Sequence, residues 1–131
     1  MSNHRETVHA VGAPPPAGPY SHAVKAGGLI FLAGQVPIDP DTGALVEGDI
    51  GAQTRRCLEN LAIVAAASGA SLADAVRCAI YVTDMGVFKQ VNDAYGAYFG
   101  AALPARTTIG VAALPAGAEV EIDAILAAPA A

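Results

Sequence analysis

Arg106 and Glu121 are the two residues of this chain whose types and surroundings most suggest chemistry. Arg106 lies in Leu103-Pro104-Ala105-Arg106-Thr107-Thr108-Ile109, and Glu121 lies in Glu119-Val120-Glu121-Ile122-Asp123-Ala124-Ile125. Both segments read as strands. Period two places Glu119, Glu121 and Asp123 on one face and Val120, Ile122 and Ala124 toward a core. Carboxylates in a row repel one another, and a row shielded from water holds its protons more tightly. Arg106 is a permanent cation whose planar fork matches a carboxylate. One such cation and one such acid can hold a small anionic substrate and move a proton beside it. The same residues also suit a solvated strand face with a salt bridge, and these two segments alone leave both readings open.

The elements that must position them follow from local pattern. Ala13-Pro14-Pro15-Pro16-Ala17-Gly18-Pro19 is a stiff, irregular lead-in. Residues 20–25 and 28–34 read as strands joined in a hairpin at Gly27-Gly28. Asp39-Pro40-Asp41-Thr42-Gly43 punctuates a turn. Asp49 suits the N-cap of a helix over 50–68, where Leu58, Leu61, Ala62 and Ala65 make one apolar stripe before Gly69. Residues 75–83 alternate, with Val76, Cys78, Ile80 and Val82 on one side and Arg77, Ala79, Tyr81 and Thr83 on the other. A second helix is predicted over 87–99, with Phe88, Val91, Tyr95 and Tyr98 as its stripe and Gly100 as its stop. The last strands, 106–112 and 119–127, are joined through Leu114-Pro115-Ala116-Gly117, which predicts an antiparallel pair. The fold class is α+β: a mixed sheet with both helices on one face, since each helix has one stripe to bury.

Whole-chain numbers bound the function. The chain has 131 residues, read as one domain over 1–131, with 15% charged and 53% hydrophobic residues. Charged residues average about 25% in soluble domains, so part of this surface is expected to be hidden in a homo-oligomer. The net charge is −5 and no lysine or arginine cluster exists, which argues against a nucleic-acid partner. No apolar run has the length of a bilayer span. Residues 1–12 are polar, carry no signal-peptide-like segment, and are expected to be disordered. Cys57 and Cys78 sit in apolar contexts and read as buried free thiols, with the cytoplasm as the expected compartment.

Other chemistries find little support in the pattern. His4, His9 and His22 lack metal-ligand spacing with any cysteine or histidine, so no metal site is expected. Neither cysteine has a histidine near it in sequence to activate it. Gly27-Gly28 and Gly48-Asp49-Ile50-Gly51 lack a phosphate-loop pattern, and no serine sits in a nucleophile elbow. Three further positions are candidates. Asn92 lies on the second helix, on either a solvated face or a site. Tyr20 could be half-buried in a strand or line a pocket. Gly34, followed by Gln35, allows a ligand or another backbone to approach closely.

Five motifs occur in order: Gly18-Pro19-Tyr20-Ser21, Ala33-Gly34-Gln35-Val36-Pro37, Val91-Asn92-Asp93-Ala94-Tyr95, Pro104-Ala105-Arg106-Thr107-Thr108 and Glu119-Val120-Glu121-Ile122-Asp123-Ala124. Together they resemble the RidA (YjgF-type) family of reactive-intermediate enamine/imine deaminases, over roughly residues 13–127. The resemblance implies a fold like the small bacterial chorismate mutases, and a homotrimer with sites between subunits. It implies that Arg106 binds the substrate carboxylate, Glu121 activates water, Tyr20 and Asn92 line the pocket, and the Thr108 carbonyl receives the substrate nitrogen. It also implies hydrolysis of 2-aminoacrylate-type enamines and 2-imino acids to 2-keto acids and ammonia, with no cofactor. Ala33 stands where the family often has serine, Thr108 where it often has cysteine, and Asp123 where it commonly has glutamate. The alternative is a trimer that binds a 2-keto acid or other small carboxylate without catalysis. RNA cleavage, sometimes attached to the family, is disfavoured by the acidic balance.

Overall fold

In the computed structural model, which describes residues 4–130, the elements run β1 (Arg5–Val8), β2 (Ala23–Ala26), β3 (Leu29–Gln35), α1 (Ile50–Ala67), β4 (Ala75–Val82), α2 (Phe88–Phe99), β5 (Ala105–Gly110) and β6 (Val120–Ala127). The six strands form one mixed sheet in the order β1-β2-β3-β6-β4-β5. Only β4 and β5 pair in parallel; the other neighbours are antiparallel. The hairpin at Gly27-Gly28 forms as the sequence predicts, because both glycines take the positive φ that its turn requires.

Cross-strand register defines the two faces. Val8, Ala23, Leu32, Ala124, Cys78 and Arg106 lie opposite one another in successive strands, so all six project to the same side. That side is covered by α1 and α2, and Leu58, Leu61, Val64 and Val91 are fully buried against Ile30, Ile80, Ile122 and Leu126. Each large apolar side chain so buried stabilises the fold by about 1.5–3 kcal/mol relative to exposure. The row Ile109, Tyr81 and Glu121 projects to the opposite, helix-free side, which also presents Phe31.

Local chemistry sets the helix ends. Asp49 caps α1 by accepting from the Ala52 N–H at 2.9 Å. Gly69 takes a φ of 80° beyond Ser68 at its other end, and Lys25 Nζ donates to the Ser68 carbonyl at 3.3 Å. Asn60 is buried on α1, where its Nδ2 donates to the carbonyls of Val36 at 3.3 Å and Ile38 at 2.9 Å. It thereby ties the chain leaving β3 to the helix layer.

Several expectations are corrected. Residues 5–8 are not disordered: they form β1, which adds to the free edge of β2. Residues 1–3 lie outside the described residues. β5 does not pair with β6. It is joined to β4 through α2, and a helix crossover returns the chain parallel to the strand it left. β6 then enters between β3 and β4. Val76 is exposed rather than core-facing, because a bulge between Ala75 and Arg77 sets it outside the ladder. On α2 the buried residues are Val91, Ala94 and Tyr95, whereas Phe88 and Tyr98 are exposed at the two ends of the stripe. Cys57 and Cys78 are buried free thiols, as predicted.

Candidate active site

The predicted site residues divide into two groups on opposite faces of the sheet. The first surrounds Arg106. It projects from the edge strand β5 toward α2, where its Nη2 donates to Asn92 Oδ1 at 2.5 Å. Its Cζ lies 4.9 Å from the centroid of the Tyr95 ring and 5.6 Å from that of Phe88. Among the described residues no carboxylate comes within ion-pair distance of Arg106. The guanidinium is thus held by neutral groups, and its charge is left for something else.

Thr108 stands two residues along the same face. Its hydroxyl is buried and finds no hydrogen-bond partner. The Val111 N–H donates to the Val82 carbonyl at 2.8 Å. By the two-residue period of a parallel ladder, odd-numbered residues of β5 bond β4, and the carbonyls of Arg106 and Thr108 point off the sheet edge. The Thr108 carbonyl is therefore directed away from its own sheet and toward whatever lies beside β5.

The second group surrounds Glu121. Its carboxylate lies against Gly34 of β3, where an added Cβ would collide with it. A register irregularity between Leu32 and Gln35 produces this close approach. Glu121 lines a cavity of about 380 Å³ together with Tyr20, Ala33, Gly34, Pro15 and Ala116. Burial, and secondarily the Asp123 carboxylate, raise the Glu121 pKa above its ordinary value. Asp123 accepts a hydrogen bond from Tyr81 at 2.8 Å, and that bond raises the Tyr81 pKa, so the phenol remains a donor.

The row of three acids is a row of two. Glu119 precedes β6 and is exposed, and its Oε2 accepts from Gln53 of α1 at 3.2 Å. Tyr20 lies outside β2; its hydroxyl accepts from the Ala17 N–H at 3.1 Å and closes the proline-rich lead-in over the cavity. His22 is buried and is committed to structure. Its Nδ1 accepts from the Ala10 N–H at 2.9 Å, which leaves Nε2–H to donate to the Pro14 carbonyl at 2.8 Å.

Phe88 and Tyr95 were not singled out as neighbours of Arg106 by the sequence reading. Their spacing with Asn92, at i, i+4 and i+7 of one helix, is the available signal. Ala116 was missed as well. It holds a φ of 60° in the loop before β6, a conformation that costs a residue with a side chain free energy.

Comparisons with known proteins show the family of the chain. The Endoribonuclease L-PSP family model matches residues 11–128. Protein DfrA of Myxococcus xanthus is 52% identical over 123 residues, spanning 92% of this chain and 94% of its own. A mouse (Mus musculus) protein named 2-iminobutanoate/2-iminopropanoate deaminase is 40% identical over 121 residues, spanning 92% of this chain and 90% of its own. Among solved structures, RidA from the Antarctic bacterium Psychrobacter superposes with a TM-score of 0.88 at 38% identity, covering 93% of this chain and 98% of its own. The YjgF gene product of E. coli superposes with a TM-score of 0.87 at 35% identity, over 93% and 98%. The chain belongs to this YjgF/RidA family.

Proposed function

We propose that the protein hydrolyses 2-aminoacrylate-type enamines and 2-imino acids to 2-keto acids and ammonia, acting as a homotrimer with a site between each pair of neighbouring subunits. The observation that carries this is the partition of the site. A cation held by neutral groups faces one side of the sheet, and an acid of raised pKa faces the other. Neither half is complete in one chain, and a ring of copies would bring the Arg106 group of one against the Glu121 group of the next. The low charged fraction and the exposed Phe31 and Ile109 on the helix-free face support burial of that face. The mouse relative's name supports the reaction class.

In this reading the enamine first tautomerises to the imine. Arg106 binds the carboxylate through two parallel charge-assisted hydrogen bonds and fixes the imine carbon. The Thr108 carbonyl accepts from the iminium N–H, which favours the more electrophilic protonated form. Glu121 takes a proton from water as the water oxygen attacks that carbon, then returns it to the nitrogen. As the C–N bond breaks and ammonia leaves, Glu121 takes the hydroxyl proton so that the carbonyl forms, and that proton goes off with the ammonia as ammonium. A raised pKa suits a carboxyl that must both accept and return a proton. Asn92 orients Arg106 without neutralising it, and Tyr20 closes the cavity.

Simple binding of a keto acid requires Arg106 but gives no work to a half-buried acid of raised pKa, which is why hydrolysis is preferred. The test is purified protein added to a pyridoxal-phosphate dehydratase that produces 2-aminoacrylate, with ammonia release followed directly. Acceleration over the dehydratase alone is expected. An unchanged rate, with pyruvate still bound, would favour the binding role.

A further inference from the structure

We propose that Tyr95 is a positioning residue for Arg106, its buried ring forming the floor on which the guanidinium is held; its effect on turnover rests on the imine-hydrolysis reading. Arg106 lies on an edge strand, so no further strand packs beside it among the described residues. The contacts that hold its guanidinium come from α2: Phe88, Asn92 and Tyr95, one helix face at i, i+4 and i+7. Of the two rings, Tyr95 is closer to the guanidinium, at 4.9 Å, and is only 3% exposed, whereas Phe88 is 37% exposed. A buried ring is fixed in place, and its electron-rich face attracts a cation more strongly where water is excluded. Such a floor also leaves the charge intact, as an acid would not.

The Tyr95 hydroxyl takes no part. It is buried without a hydrogen-bond partner, next to Cys78 but outside hydrogen-bond geometry, and burial raises its pKa so that it stays neutral. The ring, not the hydroxyl, is what Arg106 uses. This separates positioning from ordinary polar packing, since phenylalanine should serve in place of tyrosine.

The test compares wild type with Tyr95→Phe, Tyr95→Met and Tyr95→Leu, each checked by thermal melt. The first readout is the side-chain Nε–H resonance of Arg106, and the second is the KM for imine hydrolysis alongside pyruvate binding. In wild type and Tyr95→Phe the ring current should move the Arg106 resonance away from its random-coil position. In whichever of the Met and Leu variants folds, that displacement should vanish. KM and the pyruvate dissociation constant should rise about two- to thirtyfold, with kcat changing less, and Tyr95→Phe should stay within about twofold of wild type. An Arg106 resonance at its random-coil position in wild type, or one unmoved by losing the ring, overturns the proposal. So does a Tyr95→Phe variant as impaired as Tyr95→Met. If the resonances behave as expected but wild type neither releases ammonia from imines nor binds pyruvate, the imine-hydrolysis reading falls and the positioning role stands.

Discussion

Arg106 and Glu121 sit on opposite faces of one sheet and are prepared in opposite ways. Arg106 lies on an edge strand and is surrounded by an amide oxygen and two aromatic rings, with no counter-charge among the described residues. Glu121 lies on a central strand, and its carboxylate accepts no hydrogen bond from the described residues and stands beside a like charge in a partly desolvated cavity. One half carries a cation with neutral neighbours, which suits the anion-binding role proposed for it. The other is made reluctant to ionise, and that suits a base which must also release its proton. A cation can be fixed by its neighbours without losing its use, whereas a base is most useful when its neighbours leave it unsatisfied.

The contrast can be broken from the Glu121 side first. Glu121→Gln keeps size and shape but removes the base. Loss of a positioned general base typically costs ~10²–10⁴-fold, and kcat for imine hydrolysis should fall by that amount while pyruvate binding persists. A variant hydrolysing at the wild-type rate would show that the acid is a bystander. Gly34→Ala should come next, because its Cβ would occupy the space of the Glu121 carboxylate. A displacement of about 1 Å at a reacting group can cost ~10²-fold. The expected signature is a fall in kcat with Arg106-dependent binding of pyruvate retained, measured by steady-state kinetics and calorimetry.

Arg106→Lys tests the other half. An ammonium keeps the charge but loses the planar fork, so the specificity constant should drop by at least ~10-fold with the fold intact. Full activity would mean that only general attraction is needed.

The smallest effect concerns stability. The folded-state pKa of Glu121 is raised, so its contribution to stability is present below the unfolded pKa and is lost as pH rises through the folded value. Glu121→Gln should therefore melt slightly above wild type at neutral pH, and the gap should close as pH falls below the ordinary glutamate range. A gap that widens in acid would contradict the assigned direction.

The strongly periodic elements were legible in the sequence. The β6 alternation buries Val120, Ile122 and Ala124 as the pattern requires, and Asp49 caps α1 where its type predicts. What failed was pairing. Leu114-Pro115-Ala116-Gly117 has the composition of a hairpin loop, yet α2 commits β5 to lie parallel to β4, and a turn's composition says nothing of a crossover already made. β1 was missed because Arg5-Glu6-Thr7-Val8 is short and mostly exposed, so that backbone pairing with β2 gives it order without a hydrophobic pattern. The candidate site residues came as a list from family resemblance. Their division between two faces was not legible, because it depends on register across six strands, from Val8 through Cys78 to Arg106.

That division makes a subunit-mixing experiment the most direct test. Arg106→Ala and Glu121→Ala proteins should each be inactive as assembled. They are then unfolded together and refolded as a mixture, with mixed assemblies verified by native mass spectrometry. If each site takes its arginine from one copy and its glutamate from the next, random mixing restores both residues to about one site in four, and activity should return to roughly a quarter of wild type. Mixed trimers that stay inactive would contradict a site shared between subunits.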